Sequence, residues 1–400
     1  MPRRIIKPFE DFFRHESSSG VVLIIFCVVA IILANSPYAI NYEKFIHCKL
    51  TIGYGNLSLS KSLLHWVNDG LMVIFFFLVG MEIKRELAVG ELNSVKKAAL
   101  PIGAAVGGMI VPAVIYFFIN RGTTGISGWG IPMATDIAFA LAALSLLGSQ
   151  KAPVGLAVFL TALAIVDDLG AIMVIAVFYT EKVSLMALLM ALAILLVLIL
   201  ANKLRVNSIF VYLFLGLLLW LAFLKSGVHA TIAGVILGMT IPVRSAGSRS
   251  EKTVLSRLEH ALQPWVAFGV MPVFAFTNAG VSIDIKVFKD LITSPISFGI
   301  IAGLFLGKQM GIFGFSYLMI NLKMASLPKR VTMKQLYGVS ILAGIGFTMS
   351  IFISTLAFKD TNMLATAKIS IIVASLLSAM VGFLFLSMKS KIKEAGKGTQ

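Results

Sequence analysis

The stretch AVFLTALAIVDDLGAIMVIAVF, residues 157–178, places two adjacent carboxylates inside an apolar segment that is long enough to cross a bilayer. A carboxylate at membrane depth costs roughly 2.5–3.5 kcal/mol on insertion scales. Two neighbouring carboxylates also repel each other, which raises the proton affinity of at least one of them. The pair Asp167 and Asp168 therefore predicts a protein that handles a cation or a proton.

The composition of the 400-residue chain is typical of a protein embedded in a membrane. Hydrophobic residues make up 58% of the chain and charged residues 13%, and the mean hydropathy is +0.95. Since soluble domains carry about 25% charged residues, most of this chain must face lipid or other helices. The two cysteines, Cys27 and Cys48, suggest neither a disulfide framework nor a metal site.

The apolar segments predict an all-α polytopic membrane protein, with about twelve transmembrane helices in a single domain of residues 1–400. Residues 1–19 and 389–400 are predicted to be cytoplasmic segments. The connection at 45–60 contains the alternating string LTIGYGNLSLS, which predicts either an external β-hairpin or a solvated irregular loop. The predicted spans lie near 20–35, 63–81, 98–119, 127–147, 154–179, 184–202, 207–223, 227–243, 261–282, 294–320, 333–357 and 363–388.

The formal charge of +16 is a signal of membrane topology. With both termini in the cytoplasm, the predicted cytoplasmic segments hold more than twice as many Lys and Arg residues as the external loops. This asymmetry is the positive-inside rule, so the basic excess does not indicate nucleic acid as a partner. The sequence has no nucleotide-binding loop, which argues against an ATP-driven pump.

Lys308 is the basic residue nearest the middle of a predicted span, in GLFLGKQMGIFGFSY. A lone buried ammonium group is costly, and a nearby carboxylate is its usual partner. We therefore expect Lys308 to pair with Asp167 or Asp168. Adjacent residues on a helix point about 100° apart, so the second carboxylate can face a water-filled cavity. The alternative is a buried ion pair with a purely structural role.

The fourth and eleventh predicted spans contain helix-breaking residues. Gly and Pro residues precede Thr135 and Asp136 in GWGIPMATDIAFALAAL, and ILAGIGFTMSIFIS contains Gly344 and Gly346. Each span is central in a triplet, and the two triplets have opposite orientations, so the pattern predicts an inverted repeat with a transport site at the two breaks. There, Asp136 is expected to neutralise helix N-termini and Lys308 the C-terminal carbonyls. Alternatively, the glycines only permit close packing.

The predicted ligand is a hard cation. Carboxylates, a threonine hydroxyl and free backbone carbonyls are hard oxygen ligands, and protons would compete for the same carboxylates as a coupled group. Such competition at an alternating-access site is sufficient for antiport. A solute symporter, a passive cation channel and an intramembrane aspartyl protease are the alternatives. The spans lack arginine, which disfavours the symporter, and the sequence lacks the protease's GxGD motif.

Seven strings spread along the chain resemble the NhaA family of bacterial sodium/proton antiporters. They are WVNDGLMVIFFFLVGMEIKREL, PMATDIAFALAALSLLG, LTALAIVDDLGAI, LKSGVHATIAGV, PVFAFTNAGV, LGKQMGI and GIGFTMSIFI. The resemblance implies electrogenic, pH-regulated exchange of cytoplasmic Na⁺ or Li⁺ for external protons, and hence sodium ion homeostasis, in a multi-pass protein of the bacterial inner membrane. It also implies a homodimer that associates through the hairpin near 45–60, with no cofactor and no enzymatic activity.

The resemblance assigns roles to individual residues. Asp167 and Asp168 match the pair that binds Na⁺ or Li⁺ and carries the proton, and Lys308 matches the lysine beside them. The helix crossing is assigned to Thr135, Asp136 and Gly346, and an external polar patch to Asn68 and Asp69. The pH response is assigned to Glu82, Arg85, Glu86, His229, Glu259 and His260.

Two of these assignments have simpler alternatives. Glu82, Arg85 and Glu86 have helical spacing and could form a solvated salt-bridge group, and His229 could be a hydrogen-bonded interfacial histidine. Ser256 and Gln263 stand where some relatives carry ionisable side chains, so the resemblance leaves the activation pH open.

Overall fold

A computed structural model of the chain describes residues 3–52, 59–180, 183–243 and 253–388. Within these ranges the protein is helical apart from one two-stranded sheet. The helices are α1 (Arg3–Ala34), α2 (Ala39–Ile46), α3 (Leu63–Ala88), α4 (Val95–Ile119), α5 (Ile137–Ser145), α6 (Gly148–Lys151), α7 (Val154–Phe178), α8 (Leu185–Lys203), α9 (Ile209–Ser226), α10 (Thr231–Thr240), α11 (254–279), α12 (Ile285–Thr293), α13 (Pro295–Asn321), α14 (Met333–Leu342), α15 (Phe347–Ala357) and α16 (Thr361–Ser387). The 3₁₀ helices are Glu91–Asn93 and Thr124–Met133 within the described ranges. Helices α3, α11 and α13 contain the π-helical turns Val67–Leu71, Val266–Val270 and Ala302–Gly307.

Seven of the described helices are long and apolar enough to cross a membrane, namely α3, α4, α7, α8, α9, α13 and α16. The number rises to ten if each of three bent helix pairs forms one span. The fold is therefore that of a multi-pass helical membrane protein. The predicted spans 227–243 and 261–282 correspond to α10, which has 10 residues, and to α11, which does not pass the same test. The count of twelve stays a prediction.

The two interrupted spans are present where the sequence places them. The 3₁₀ helix Thr124–Met133 meets α5 at 44°, and α14 meets α15 at 45°. A third bend, of 118°, joins the Ser18–Ala34 part of α1 to α2 and was not predicted. The order of long helix, interrupted span and long helix occurs twice, from α4 to α7 and from α13 to α16. The opposite orientation of the two triplets stays a prediction.

Tertiary contacts hold the first interrupted span in its unusual conformation. The 3₁₀ helix Thr124–Met133 has 10 residues, although 3₁₀ runs rarely exceed three or four residues. The Tyr116 hydroxyl donates to Gly125 O at 2.7 Å, and the Tyr179 hydroxyl donates to Ser127 O at 2.8 Å. Tyr179 directly follows α7, so the helix that carries both aspartates also anchors this segment.

The connection near 45–60 forms the predicted β-hairpin. Strands β1 (Lys49–Ile52) and β2 (Leu59–Ser62) are antiparallel, with Lys49 opposite Ser62. Hydrogen bonds from Leu63 N to Cys48 O, 2.9 Å, and from Trp66 Nε1 to Leu50 O, 3.0 Å, attach the sheet to α3. The intervening residues 53–58 lie outside the described residues.

Glycines allow α4 and α13 to pack in direct backbone contact. A Cβ atom at Gly107 would meet Gly311 O, and one at Gly311 would meet Gly107 O. This close approach is the packing role expected of small residues in membrane helices. Of the predicted terminal segments, residues 3–19 belong to α1, whereas 389–400 lie outside the described residues.

Candidate functional site

The two adjacent aspartates lie in the interior, halfway along α7. Asp167 and Asp168 are 1% and 2% exposed, and Lys308 of α13 is fully buried. Lys308 Nζ lies 2.7 Å from Asp167 Oδ2. It also donates to Met133 O, the last carbonyl of the 3₁₀ helix. The predicted pairing of Lys308 is thus confirmed, with Asp167 as the partner and a C-terminal carbonyl as the second acceptor.

Two carboxyl oxygens of this pair have nothing to bind within the described part of the chain. Asp167 Oδ1 and Asp168 Oδ1 are both buried and accept no hydrogen bond there. Buried polar atoms are rarely left in this state, because an unsatisfied acceptor loses its solvation without compensation. These oxygens can therefore accept a proton, a water molecule or a hard cation.

Asp136 lies at the N-termini of two helices. As the N-cap of α5, its Oδ1 accepts a hydrogen bond from Phe139 N at 3.1 Å. Its Oδ2 accepts from Thr348 N at 3.1 Å and from the Thr348 hydroxyl, both in the first turn of α15. Since a helix N-terminus carries partial positive charge, one carboxylate compensates both facing ends, as the sequence predicted.

Backbone groups join the two interruptions to each other. Asp136 N donates to Ile345 O at 2.7 Å, and the Thr135 hydroxyl donates to Ala343 O at 2.9 Å. A Cβ atom at Gly346 would meet Ser350 Oγ and would lie 2.8 Å from Leu304 Cδ2 and 3.1 Å from Ala134 O. The structure therefore brings Thr135, Asp136 and Gly346 together at one crossing.

The predicted external polar patch lies in the π-helical turn of α3. Asn278 Nδ2 donates to Asn68 Oδ1 at 2.8 Å, which joins α3 to α11. The backbone carbonyl of Asp69 accepts a hydrogen bond from Trp220 Nε1 of α9 at 2.8 Å. The patch thus connects three helices through polar contacts.

The residues assigned to the pH response fall into two places. In the first, Arg85 Nη1 lies 2.8 Å from Glu259 Oε1, and Arg85 Nη2 lies 3.4 Å from Glu86 Oε1. Glu86 Oε2 also accepts a hydrogen bond from Glu91 N at 2.9 Å. We call Glu82, Arg85, Glu86, Glu259 and His260 the α3–α11 charge cluster.

Burial raises the pKa of the Glu259 carboxyl above its ordinary value, although the positive charges of Arg85 and His260 lower it. The negative charge of Glu86 adds to the effect of burial, and Arg85 opposes it only in part because its side chain is 40% exposed and hydrated. Glu82 is half-buried and lies on α3, the helix that also carries Arg85 and Glu86.

His229 is in the second place, away from this cluster. It is half-buried, and its ring packs edge-on against Phe352 of α15, with 6.2 Å between the ring centroids. Phe352 lies one turn after Thr348, so His229 contacts the same half-helix that Asp136 caps.

Sequence reasoning missed several residues that the structure places at or near the site. Thr348 and Ser350 follow Gly346 in GIGFTMS, and a hydroxyl just after a helix break was a usable signal. The backbone carbonyls of Met133, Ala343 and Ile345 had no corresponding signal in the sequence. Lys368, which lies inside the predicted span 363–388 but was not singled out, is in the second turn of α16 and is 9% exposed.

The fold and the site define a multi-pass membrane protein in which two interrupted helices cross beside a buried lysine–aspartate pair. A family model described as Na⁺/H⁺ antiporter 1 matches residues 10–386. Na⁺/H⁺ antiporter NhaA 1 of Clostridium beijerinckii is 55% identical over 392 residues, which cover 98% of each chain. The NhaA antiporters of Oleidesulfovibrio alaskensis, with 98% of this chain and 96% of the relative covered, and of Haemophilus influenzae, with 97% of each, are 47% and 46% identical.

The chain therefore belongs to the NhaA family of Na⁺/H⁺ antiporters. The resemblance drawn from the seven strings is confirmed, and with it the class of sodium-transporting membrane antiporters.

Proposed function

We propose that the protein exchanges Na⁺ for protons at Asp167 and Asp168, in alternation between the two sides of the membrane. The observation that carries this proposal is a pair of buried carboxylates in which two oxygens accept no hydrogen bond from the described residues, and in which Lys308 pairs with Asp167. An ion pair with a purely structural role would need only one aspartate, so the second aspartate is available for a ligand.

Competition at Asp167 couples the two ligands. Lys308 Nζ occupies Asp167 Oδ2, so an ion that coordinates this oxygen must displace the ammonium group or weaken its bond. A proton on Asp168 likewise removes one anionic ligand from the ion. The site thus binds the ion well only after it has lost protons. Ion binding is therefore obligatorily coupled to proton release.

This competition supports electrogenic exchange. If Asp168 and the Lys308–Asp167 pair release two protons for each ion bound, one net charge crosses the membrane per cycle. Each elementary charge contributes about 2.3 kcal/mol per 100 mV of membrane potential. The potential would then drive Na⁺ out of the cell. Li⁺, also a hard cation, would bind the same oxygens.

The crossing of the interrupted spans supports alternating access. Half-helices that end in the interior can change their tilt separately from the long helices beside them. Asp136 and Lys308 remove the electrostatic cost of the exposed helix ends. The crossing therefore joins the two half-helix pairs while leaving the aspartates at a point that either side can reach.

The α3–α11 charge cluster is our proposed pH sensor. Protonation of a carboxyl in it would change the electrostatic field at Asp168, because α3, which carries Glu82, Arg85 and Glu86, packs against α7. His229 is proposed to contribute through its contact with Phe352.

Membrane orientation and assembly belong to the same proposal. The basic residues concentrate on one side, which supports cytoplasmic termini in a bacterial inner membrane. The exposed edges of the hairpin at 49–62 are suited to pairing with a second copy of the chain, in a homodimer.

The test is Na⁺-dependent proton release from everted vesicles. The native protein should release protons when Na⁺ is added, and Asp168→Asn should release none, because it has lost the titratable ligand. The control is Asp284→Asn, which changes an exposed carboxyl in the connection between α11 and α12 and should behave as the native protein. Native exchange by a correctly folded Asp168→Asn variant would exclude the assignment.

A further inference from the structure

The half-helix α15 begins in the interior of the protein at a residue that has no side chain. Its N-cap is Gly346, whereas an N-cap residue normally supplies a side-chain oxygen to a free N–H group of the first turn. A larger residue does not fit there, because a Cβ atom at Gly346 would meet Ser350 Oγ and lie 2.8 Å from Leu304 Cδ2. The acceptors for the first amides of α15 must therefore come from other segments.

Two side chains from different parts of the chain supply these acceptors. Asp136, at the first interruption, accepts a hydrogen bond from Thr348 N. Ser375 Oγ of α16 accepts a hydrogen bond from Phe347 N at 3.1 Å. Both partners of this second bond are buried, with Phe347 7% and Ser375 5% exposed. The start of α15 is thus held from two sides.

Ser375 uses its hydroxyl differently from other serines of the same helix. Ser370 Oγ donates to Thr366 O at 2.7 Å, and Ser387 Oγ donates to Leu384 O at 2.8 Å. Such bonds within a helix are a common use of a serine hydroxyl. Ser375 instead accepts from a backbone amide of another helix. Since a free N–H group is costly in an apolar interior, Ser375 removes a cost that Gly346 cannot remove.

The start of α15 is connected to the aspartate pair through the first interrupted span. The Ser350 hydroxyl, near the start of α15, donates to Ile131 O at 2.8 Å. Two residues further along the chain, the Met133 carbonyl accepts from Lys308, which pairs with Asp167. A shift of α15 therefore moves the carbonyl that shares the ammonium group with Asp167.

We propose that Ser375 is a positioning residue for Na⁺/H⁺ exchange, an inference that rests on the exchange proposed above at Asp167 and Asp168. Ser375 holds Phe347 N and so fixes the start of α15. In this position, Ser350 supports the end of the 3₁₀ helix.

The loss of the Ser375 bond would alter the competition between Na⁺ and Lys308. When α15 shifts, the Met133 carbonyl moves away from Lys308, and the ammonium group keeps Asp167 as its remaining acceptor of the two. An ammonium group with fewer acceptors is harder to displace from the carboxylate. Na⁺ therefore competes less well for Asp167.

The first measurement is Na⁺-dependent proton release from everted vesicles over a range of Na⁺ concentrations. Ser375→Ala should raise the apparent KM for Na⁺ by about threefold or more, the effect expected from one neutral hydrogen bond. Ser375→Thr keeps the hydroxyl and should have a KM near the native value. Ser375→Cys, whose thiol is a weaker acceptor, should have an intermediate KM. A smaller amount of folded protein would lower the maximal rate and leave KM unchanged, so KM separates positioning from a loss of stability.

The matched control is Ser370→Ala. It removes a hydroxyl from the same helix at a fully buried position, but this hydroxyl binds a carbonyl of its own helix. Its KM and maximal rate should be those of the native protein.

The second measurement tests the bond without transport. In hydrogen–deuterium exchange of the purified full-length protein in detergent, the peptide that contains Phe347 should exchange faster in Ser375→Ala than in the native protein. The same peptide should exchange at the native rate in Ser370→Ala. Loss of the acceptor frees the amide of Phe347 and allows the start of α15 to open.

Three results would overturn the positioning role. They are a native KM in Ser375→Ala, or in Ser375→Cys where Ser375→Ala does not fold; a KM raised equally in Ser370→Ala; and a Ser375→Thr variant that transports no better than Ser375→Ala. Unchanged amide exchange in Ser375→Ala would overturn the bond itself. If vesicles with the native protein release no protons when Na⁺ is added, the proposed exchange fails, whereas the amide measurement still decides whether Ser375 holds α15.

Discussion

Lys308 and Asp167 show how two charges are tolerated inside an apolar span. Each would be costly alone, but their 2.7 Å contact and the Met133 carbonyl compensate the ammonium group. Among the residues that the structure describes, no group donates a hydrogen bond to the other carboxylate oxygen, so the compensation is incomplete. A transported ion or a proton can bind the remaining oxygen and complete the compensation.

We expect single substitutions in this pair to destabilise the protein more than the double substitution. Lys308→Met leaves Asp167 without its partner, and breaking a buried pair costs about 3–5 kcal/mol. The double variant Asp167→Asn, Lys308→Met removes both charges and should melt closer to the native temperature. The melting temperatures of the purified proteins in detergent measure this difference in stability. Equal melting temperatures for the native protein and Lys308→Met would contradict the pairing energy.

Glu259 gives the protein a pH-dependent stability with a defined sign. Because burial raises its pKa, the native state holds this proton more tightly than the unfolded chain does. The free energy of unfolding should therefore fall as pH rises from the ordinary glutamate value of 4.5 to the raised native value, and the stabilising contribution is complete only below this window.

The variant Glu259→Gln should flatten this part of the pH profile. Melting temperatures measured at a series of pH values check it, with the partly exposed Glu91→Gln as the control. A profile of Glu259→Gln that falls as steeply as the native one would show that other groups cause the slope.

At the level of helices, the crossing depends on close backbone contact. The interruption at 134–136 is joined to the one at 343–346 by the bonds of Asp136 N and Thr135. Long helices alone could not supply these groups, because their carbonyls and N–H groups are already bonded within the helix. The two breaks therefore satisfy each other, and neither would be stable in the membrane without the other.

Gly346→Ala should reduce exchange by about tenfold or more while most of the helical content remains. Its Cβ atom would lie within 2.8 Å of Leu304 and close to Ser350, so the half-helix α15 must move and Thr348 must shift from Asp136. Misplacement of this order can cost about a hundredfold in rate. Exchange in vesicles and circular dichroism provide the two measurements.

Gly314→Ala is the matched control for this prediction. It makes the same change in α13, where no atom lies within 4 Å of the added methyl group, and its exchange rate should be native. A Gly346→Ala variant as active as Gly314→Ala would mean that the crossing has more room than its contacts indicate.

For the protein as a whole, the hairpin is the feature that we expect to control assembly. Hydrogen bonds from Leu63 N and Trp66 Nε1, together with those between Ser62 and His65, attach the described strands to α3. None of these residues belongs to the crossing, so the hairpin can be removed without disturbing it. Replacing residues 49–62 by a short Gly-Ser linker should convert a dimer into a monomer, as measured by light scattering in detergent, with exchange per chain retained. A variant that stays dimeric would show that the dimer interface lies on another surface.

Much of the fold followed from residue type alone. Apolar length, the breaks near Asp136 and Gly346 and the alternation at 50–60 each depend on local chemistry, and each corresponds to an observed feature. The number of membrane crossings was harder, because α10 and α11 are short or less apolar and depend on their neighbours. The burial of Lys368 has the same origin, since only packing shows that the start of α16 is buried.

The sequence by itself determined that this is a membrane protein with charged groups inside its apolar spans. Burying a charge there is costly at any position, so such residues indicate a functional site. The sequence also indicated the family, through strings whose residues stand in the matching order. Only the tertiary structure decided that Lys308 binds Asp167 rather than Asp168, and that Asp136 serves two helices through Phe139 and Thr348. Those partners include backbone N–H and carbonyl groups, which are the same at nearly every residue, so their pairing depends on how the chain is folded in space.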